Sequence, residues 1–342
     1  GTIYAAKIGA NGEPQLWHPS DPNQANWVYW YKVGGSYTPL WYTSAVAYNG
    51  RLYVIGGDSN AQVNSGAIDA TAIADILPNG TLGSFSSGPT LPSVARYSSV
   101  QIYNGYLYIL GGSGNALFLN DGAGGTTGKV MYSRVDSSTG SLGSWKFAAA
   151  DNSQLGFNTP RASMGGTMTG IWGGYLYIAG GCTAFDANDR CTAVASDVQL
   201  ASINADGTLD SWNTMLGLRN SRFGHSFVAW QDSLYRFGGC ARQSTANGDC
   251  WAAQKGVQYG NINQDGDAST VSISTATGAG SCQGTTPYDC NLPPGGTGSG
   301  QSGQALTATV ILNGYLYVIG GCTTNACTTM SSNISYSAID ST

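Results

Sequence analysis

Charge is what this sequence has least of. Only 10% of its 342 residues are charged, with a single glutamate, Glu13, and five lysines. The formal net charge of -5 is spread without any run of one sign, so there is no basic footprint for DNA or RNA and nucleic acid is not an expected partner. No apolar stretch approaches the roughly 20 residues needed to cross a bilayer, and no basic amphipathic segment suits lying on one. Membrane insertion is therefore not expected. Histidine is nearly absent, His18 and His225 being the whole supply, and no GxSxG, P-loop or HExxH pattern occurs. Acid–base and metal chemistry thus have few residues to use; no catalytic residue is assigned, and a role without catalysis is favoured over an enzymatic one. The start at Gly1 fits either a mature form after signal removal or a fragment of a longer protein.

What is abundant is glycine, at 50 residues, tyrosine, at 20, and one nine-residue phrase. It reads NGRLYVIGG from Asn49, NGYLYILGG from Asn104, GGYLYIAGG from Gly173, QDSLYRFGG from Gln231 and NGYLYVIGG from Asn313. Asn-Gly supplies the positive φ angles of a tight hairpin turn, and the Leu-Tyr-β-branched run suits a half-buried strand. Two glycines then end the strand and permit close backbone approach. An apolar strand precedes each copy, as in TSAVAY, YSSVQIY, GTMTGIW, GHSFVAW and LTATVIL. A third strand ends in an acidic or amide turn, as in TIYAAKIGANG, VMYSRVDSSTG, DVQLASINADG and GVQYGNINQDG. A fourth is marked by Trp17, Phe85, Trp145 or Trp212. Four antiparallel strands per unit, at spacings of 55, 69, 58 and 82 residues between second glycines, predict the blades of an all-β propeller with loops of variable length.

These residues resemble the kelch-repeat family. The doubled glycine after a Leu-Tyr-apolar strand, the downstream Trp and an Arg ahead of the next unit (Arg96, Arg161, Arg222) carry the resemblance over nearly the whole chain, and Asp206 to Trp212 looks like repeats of secreted bacterial kelch-type proteins. The first and last units depart from the pattern in lacking that Arg. The resemblance implies one kelch-type β-propeller domain over residues 1–342, with five inner-strand pairs and a partial blade. The opening run at Thr2 and the run from Ser335 to Asp340 both read as third strands, so six third strands face five inner pairs. A complete ring would then hold six blades, or seven, with the chain incomplete at one or both ends or a neighbour supplying strands.

Eight cysteines fall in four close pairs: Cys182 with Cys191, Cys240 with Cys250, Cys282 with Cys290, and Cys322 with Cys327. The spacing is not that of zinc ribbons, so disulfides and an extracellular or cell-surface location are expected. Each short bridge would contribute at most about 2 to 3 kcal/mol, and its main effect is to hold one loop in shape.

Binding residues are expected on the long-loop face, where the loops after the double glycines emerge. The segment from His18 to Tyr42 reads as an aromatic connecting loop, and Trp27, Tyr29, Trp30 and Trp41 within it are candidates for stacking against sugar rings or meeting a protein partner. The plainer alternative is that they fill space between blades. Arg96, Arg161 and Arg222 enter the same face at repeat-equivalent sites and could together hold an anion. Arg236 is the one charge inside a motif strand, at the position of Val54, Ile109, Ile178 and Val318; it is expected to pair with Asp249 or Asp232, or to contact an anion.

Among extracellular relatives of the resembled family, a galactose-oxidase-like copper site needs two His and two Tyr ligands with a crosslinked Cys, and a mutarotase-like site needs a channel Glu and Arg. The cysteines are otherwise assigned and Glu13 lies in a turn on the opposite face, so neither is expected and no metal or cofactor is assigned. Weak calcium candidates are Asp186, Asn188 and Asp189, or Asp265 and Asp267, the latter pair being more simply a hairpin turn. The expected function is a non-catalytic module that binds a glycan or extracellular protein. The alternatives are a self-assembling structural subunit of a surface layer or filament, and a carbohydrate-active enzyme.

Overall fold

The computed structural model describes residues 3–10, 14–15, 31–34, 41–59, 66–114, 128–148, 156–186, 190–215, 217–218, 221–240, 257–262, 274–275, 306–322 and 334–338. Among them there are strands and turns and no helix. Four antiparallel sheets have four strands each, in chain order. Sheet I comprises Ser44–Tyr48, Arg51–Ile55, Thr71–Asp75 and Ser86–Ser87. Sheet II comprises Ser99–Tyr103, Tyr106–Leu110, Val130–Arg134 and Lys146–Phe147. Sheet III comprises Thr169–Trp172, Tyr175–Ala179, Val198–Ser202 and Asn213–Thr214. Sheet IV comprises Ser226–Trp230, Ser233–Phe237, Val257–Asn261 and Ser274–Thr275. Sheet V has three described strands, Ala308–Leu312, Tyr315–Ile319 and Ile334–Ala338.

The repeated phrase forms the same structure five times. Each central turn residue pair has positive φ: Asn49 and Gly50, Asn104 and Gly105, Gly173 and Gly174, Gln231 and Asp232, Asn313 and Gly314. Two consecutive left-handed residues make a type I′ turn, whose twist matches that of the strands it joins. Gln231 and Asp232 adopt it without glycine, and the Asp232 carboxylate there accepts a 2.8 Å hydrogen bond from Trp172 Nε1 of the preceding sheet.

Apolar layers lie between consecutive sheets. Tyr53, Ile55 and Ile73 of sheet I meet Leu107, Ile109 and Met131 of sheet II. Tyr108, Leu110 and Tyr132 meet Leu176 and Ile178 of sheet III, and Tyr177, Val198 and Leu200 meet Phe227 and Leu234 of sheet IV. Motif tyrosines bury their rings here and send the hydroxyl forward. Tyr53 donates to the Gly140 carbonyl at 2.8 Å and Tyr108 to the Gly207 carbonyl at 3.0 Å, each a turn glycine of the next sheet. A buried phenol must find a partner, and the next sheet supplies it.

The first strands of successive sheets lie side by side and are joined by hydroxyls. Ser44 Oγ donates to Ser98 O at 2.7 Å, Ser163 Oγ to Tyr97 O at 2.8 Å and Ser226 Oγ to Thr307 O at 2.7 Å. All five first strands line one cavity of about 630 Å³. The arrangement is compatible with a propeller-like fold.

Two expectations need correction. The segment from His18 to Tyr42 contains a strand, Tyr31–Gly34, paired antiparallel with Ile3–Ala5. It was expected as connecting loop because its dense aromatics show no clean alternation. The run after Cys182 likewise contains an extra hairpin, Cys182–Phe185 with Cys191–Val194, in place of a simple clipped loop.

Candidate functional site

At the end where the first strands begin, its mouth, the cavity is lined by Tyr42, which is 42% exposed, and the preceding residue Trp41 is 53% exposed. Trp41 is held by a two-way backbone bridge to Asp58, with N–O distances of 2.9 and 2.7 Å, and the Tyr42 ring leans on Tyr97 with centroids 4.2 Å apart. Phe185 of the cystine hairpin comes next to Tyr97, at 6.3 Å between centroids. The expectation of space-filling aromatics thus does not describe Trp41 and Tyr42, which are both open to solvent. Trp27, Tyr29 and Trp30 lie outside the described residues.

Backbone strain gathers at the same place. Tyr42, Tyr97, Met164 and Leu306 all have φ between 55° and 59°. For bulky L-residues that conformation costs roughly 1–2 kcal/mol each. In sheet IV the slot two residues ahead of the first strand is held by Gly224, also at φ 58°. The backbone there suits glycine, whereas Tyr42 and Tyr97 carry aromatic rings into the mouth. Below it the wall is mostly small: Ala45, Ala47, Ser99, Gln101, Thr169, Gly170, Ala229 and Thr309.

The four candidate arginines are not on this surface. Arg96, Arg161, Arg222 and Arg236 are all buried, at 1–3% exposure. Arg161 and Arg222 are repeat equivalents: their carbonyls accept from Gly112 N and Gly181 N, and their guanidinium groups donate through Nη1 to Gly180 O and Gly238 O. In sheet I the matching acceptor for Gly57 N is Ala95 O, so Arg96 sits one residue later than its expected register.

Two of them, Arg96 and Arg161, meet carboxylates that the sequence did not single out. Arg96 Nη1 meets Asp58 Oδ2 at 2.9 Å, with both side chains almost fully buried. Arg161 grips Asp197 with two bonds, Nη1 to Oδ1 at 2.8 Å and Nη2 to Oδ2 at 3.1 Å. Both pairs join residues 36 or more apart in sequence, so neither leaves a local signal. Asp232 was one expected partner for Arg236, but it bonds Trp172 instead; the other, Asp249, lies outside the described residues.

Burial would raise the Asp197 pKa, yet Arg161's hydrogen bonds and charge, with a bond from Gln199, outweigh it and hold the carboxyl below its usual range. A depressed folded-state pKa adds stability above the unfolded value, near 3.9, and loses it as pH falls through the folded one. Acid unfolding of Asp197→Asn, followed by tryptophan fluorescence, should therefore show a shallower loss of stability below about pH 4 than wild type.

Cys182 and Cys191 form a disulfide, and Cys240 and Cys322 are also disulfide-bonded. Their expected partners Cys250 and Cys327, and the pair Cys282 and Cys290, lie outside the described residues. A disulfide fits an oxidising compartment. Among the described residues no group of three or more metal-ligating side chains comes together. Of the calcium candidates, Asp186 accepts the Arg190 amide, while Asn188, Asp189, Asp265 and Asp267 are outside the described residues, as are His18 and Glu13. A scan against protein-family models finds no match to this chain, and a search of curated proteins finds none either.

Proposed function

We propose that this chain is a kelch-like β-propeller acting as a non-catalytic binding module, which takes a glycan at the mouth of its central cavity. The observation that carries the reading is Tyr42, an exposed ring on strained backbone that lines the cavity, with exposed Trp41 beside it in the chain. Aromatic faces stack on the apolar faces of sugar rings, and nearby hydroxyls and amides suit sugar hydroxyls. The five sheets, together with the paired strands near the start of the chain, support a ring of six units. An extracellular setting goes with the cystines.

Tyr42→Gly tests the function directly. Relief of a left-handed tyrosine should leave the melting temperature unchanged or higher. Binding to the strongest partner on a glycan array should nevertheless fall by at least tenfold, as should that of Trp41→Ala. An array with no wild-type hit, combined with capture of a protein partner that depends on the same two residues, would replace the glycan by a protein; binding indifferent to both would remove the site.

A further inference from the structure

Arg236 lies apart from the mouth, deep in the layer between sheets III and IV. Its side chain is 1% exposed, and Leu234, two residues away on the same strand face, belongs to that layer. The equivalent residues Ile109 and Ile178 are ordinary members of the two preceding layers. A guanidinium therefore stands where the repeat places an aliphatic group.

Its donors are only partly used. Nη2 donates to Gln258 Oε1 on the paired strand, while Nε and Nη1 meet no acceptor. Gln258 Nε2 is likewise buried without an acceptor. Arg222 stands close enough to act on the ionisation of both His225 and Arg236, and among the described residues no carboxylate does so for Arg236. Burial and both arginine charges hold His225 well below its usual range, so the imidazole is neutral.

Sheet III shows what completes such a cluster. Gln199 occupies the register of Gln258, and its Nε2 donates to Asp197 Oδ2, the carboxylate that also receives Arg161. In the sequence, Gly256 stands two residues before Gln258, as Asp197 stands two before Gln199. Arg236 Nε and Nη1 and Gln258 Nε2 are thus buried donors without an acceptor, on two side chains already joined to each other and in the register where the previous sheet has a carboxylate.

We propose that Arg236 and Gln258 bind a small monovalent anion, of which chloride is the representative, between sheets III and IV. The anion accepts from Arg236 Nε or Nη1 and from Gln258 Nε2, and it offsets the charge of a buried guanidinium. Complete burial restricts the site to ions that shed water readily, which disfavours phosphate dianions.

The test compares wild type in sodium chloride, sodium bromide and sodium gluconate at equal ionic strength. In chloride and bromide the melting temperature should rise by about 2–3 °C per tenfold increase in salt above the dissociation constant, and in gluconate it should not. Arg236→Ile, which restores the residue type of Ile109 and Ile178, should lose the halide dependence. Should that variant fail to fold, wild-type crystals grown in bromide decide the matter. An anomalous peak within hydrogen-bond distance of Arg236 supports the site. Bromide bound only elsewhere, or equal melting in halide and gluconate, overturns it. Neither result bears on glycan binding at the mouth.

Discussion

Asp58→Ala is expected to lower the unfolding free energy by about 3–5 kcal/mol, read as a shift in the urea midpoint. Asp58 sits directly after the double glycine of sheet I, and Arg96 lies on the connection into sheet II. Their side chains are 1% and 2% exposed and meet at 2.9 Å. Truncating the acid removes the carboxylate that meets Arg96 Nη1 in a buried setting, while Ser113 Oγ and the Tyr97 ring stay against the guanidinium. The double variant Asp58→Ala with Arg96→Met removes both charges, and a buried pair replaced by apolar groups is often close to neutral. Its loss should therefore be smaller than that of the single variant. Equal losses would show that packing, and not the pair, dominates. The exposed pair Arg51 and Asp75 provides the contrast: Asp75→Ala should cost below about 1 kcal/mol.

A comparable loss is expected from a single methyl group. In Gly111→Ala the new Cβ would lie 2.3 Å from Arg161 O and 2.7 Å from Met168 Cε, at a φ of +59°. The first obstacle is backbone on the connection into sheet III, and that same carbonyl already accepts from Gly112 N. Moving it disturbs the Arg161 segment and its grip on Asp197. We expect a loss of about 4 kcal/mol or more, in the range reserved for clash and strain combined. Gly314→Ala is the control, since its φ of +78° is equally left-handed and nothing lies within 4 Å of its Cβ. That change should cost only about 1–2 kcal/mol. Calorimetric melting of the two variants separates backbone strain from close approach.

Much of the scaffold could be read directly because its causes are local. Asn-Gly before Leu-Tyr-Val specifies a turn and a strand from neighbouring residues alone, and all five copies fold accordingly. The third strands and the aromatic ahead of the short fourth strands of sheets I, II and III follow the same rule. Tyr31–Gly34 was missed because the aromatic run ahead of it shows no alternation. The cystine hairpin did leave a signal, the echo of CTAF in CTAV, but it was taken only as a cysteine spacing. The site was less legible still. Nothing near Tyr42 in sequence encodes a left-handed backbone, which is set by the approach of Tyr97 and the bridge to Asp58. Arg96 and Arg161 drew notice as charges, yet their partners arrive from 38 and 36 residues away.

The bonds from Gly57, Gly112 and Gly181 to the carbonyls of Ala95, Arg161 and Arg222 also bear on how such a chain can diversify. Each fixes the start of the next sheet against the end of the last motif strand, whatever chain runs between them. Loop length is thereby uncoupled from the distance between sheets, and the motif interval can range from 55 to 69 residues across these three connections without moving the scaffold. Segments inserted after a double glycine can be exchanged or lengthened while the sheets stay in register. Selection can then act on the rim of the cavity almost independently of selection on the fold.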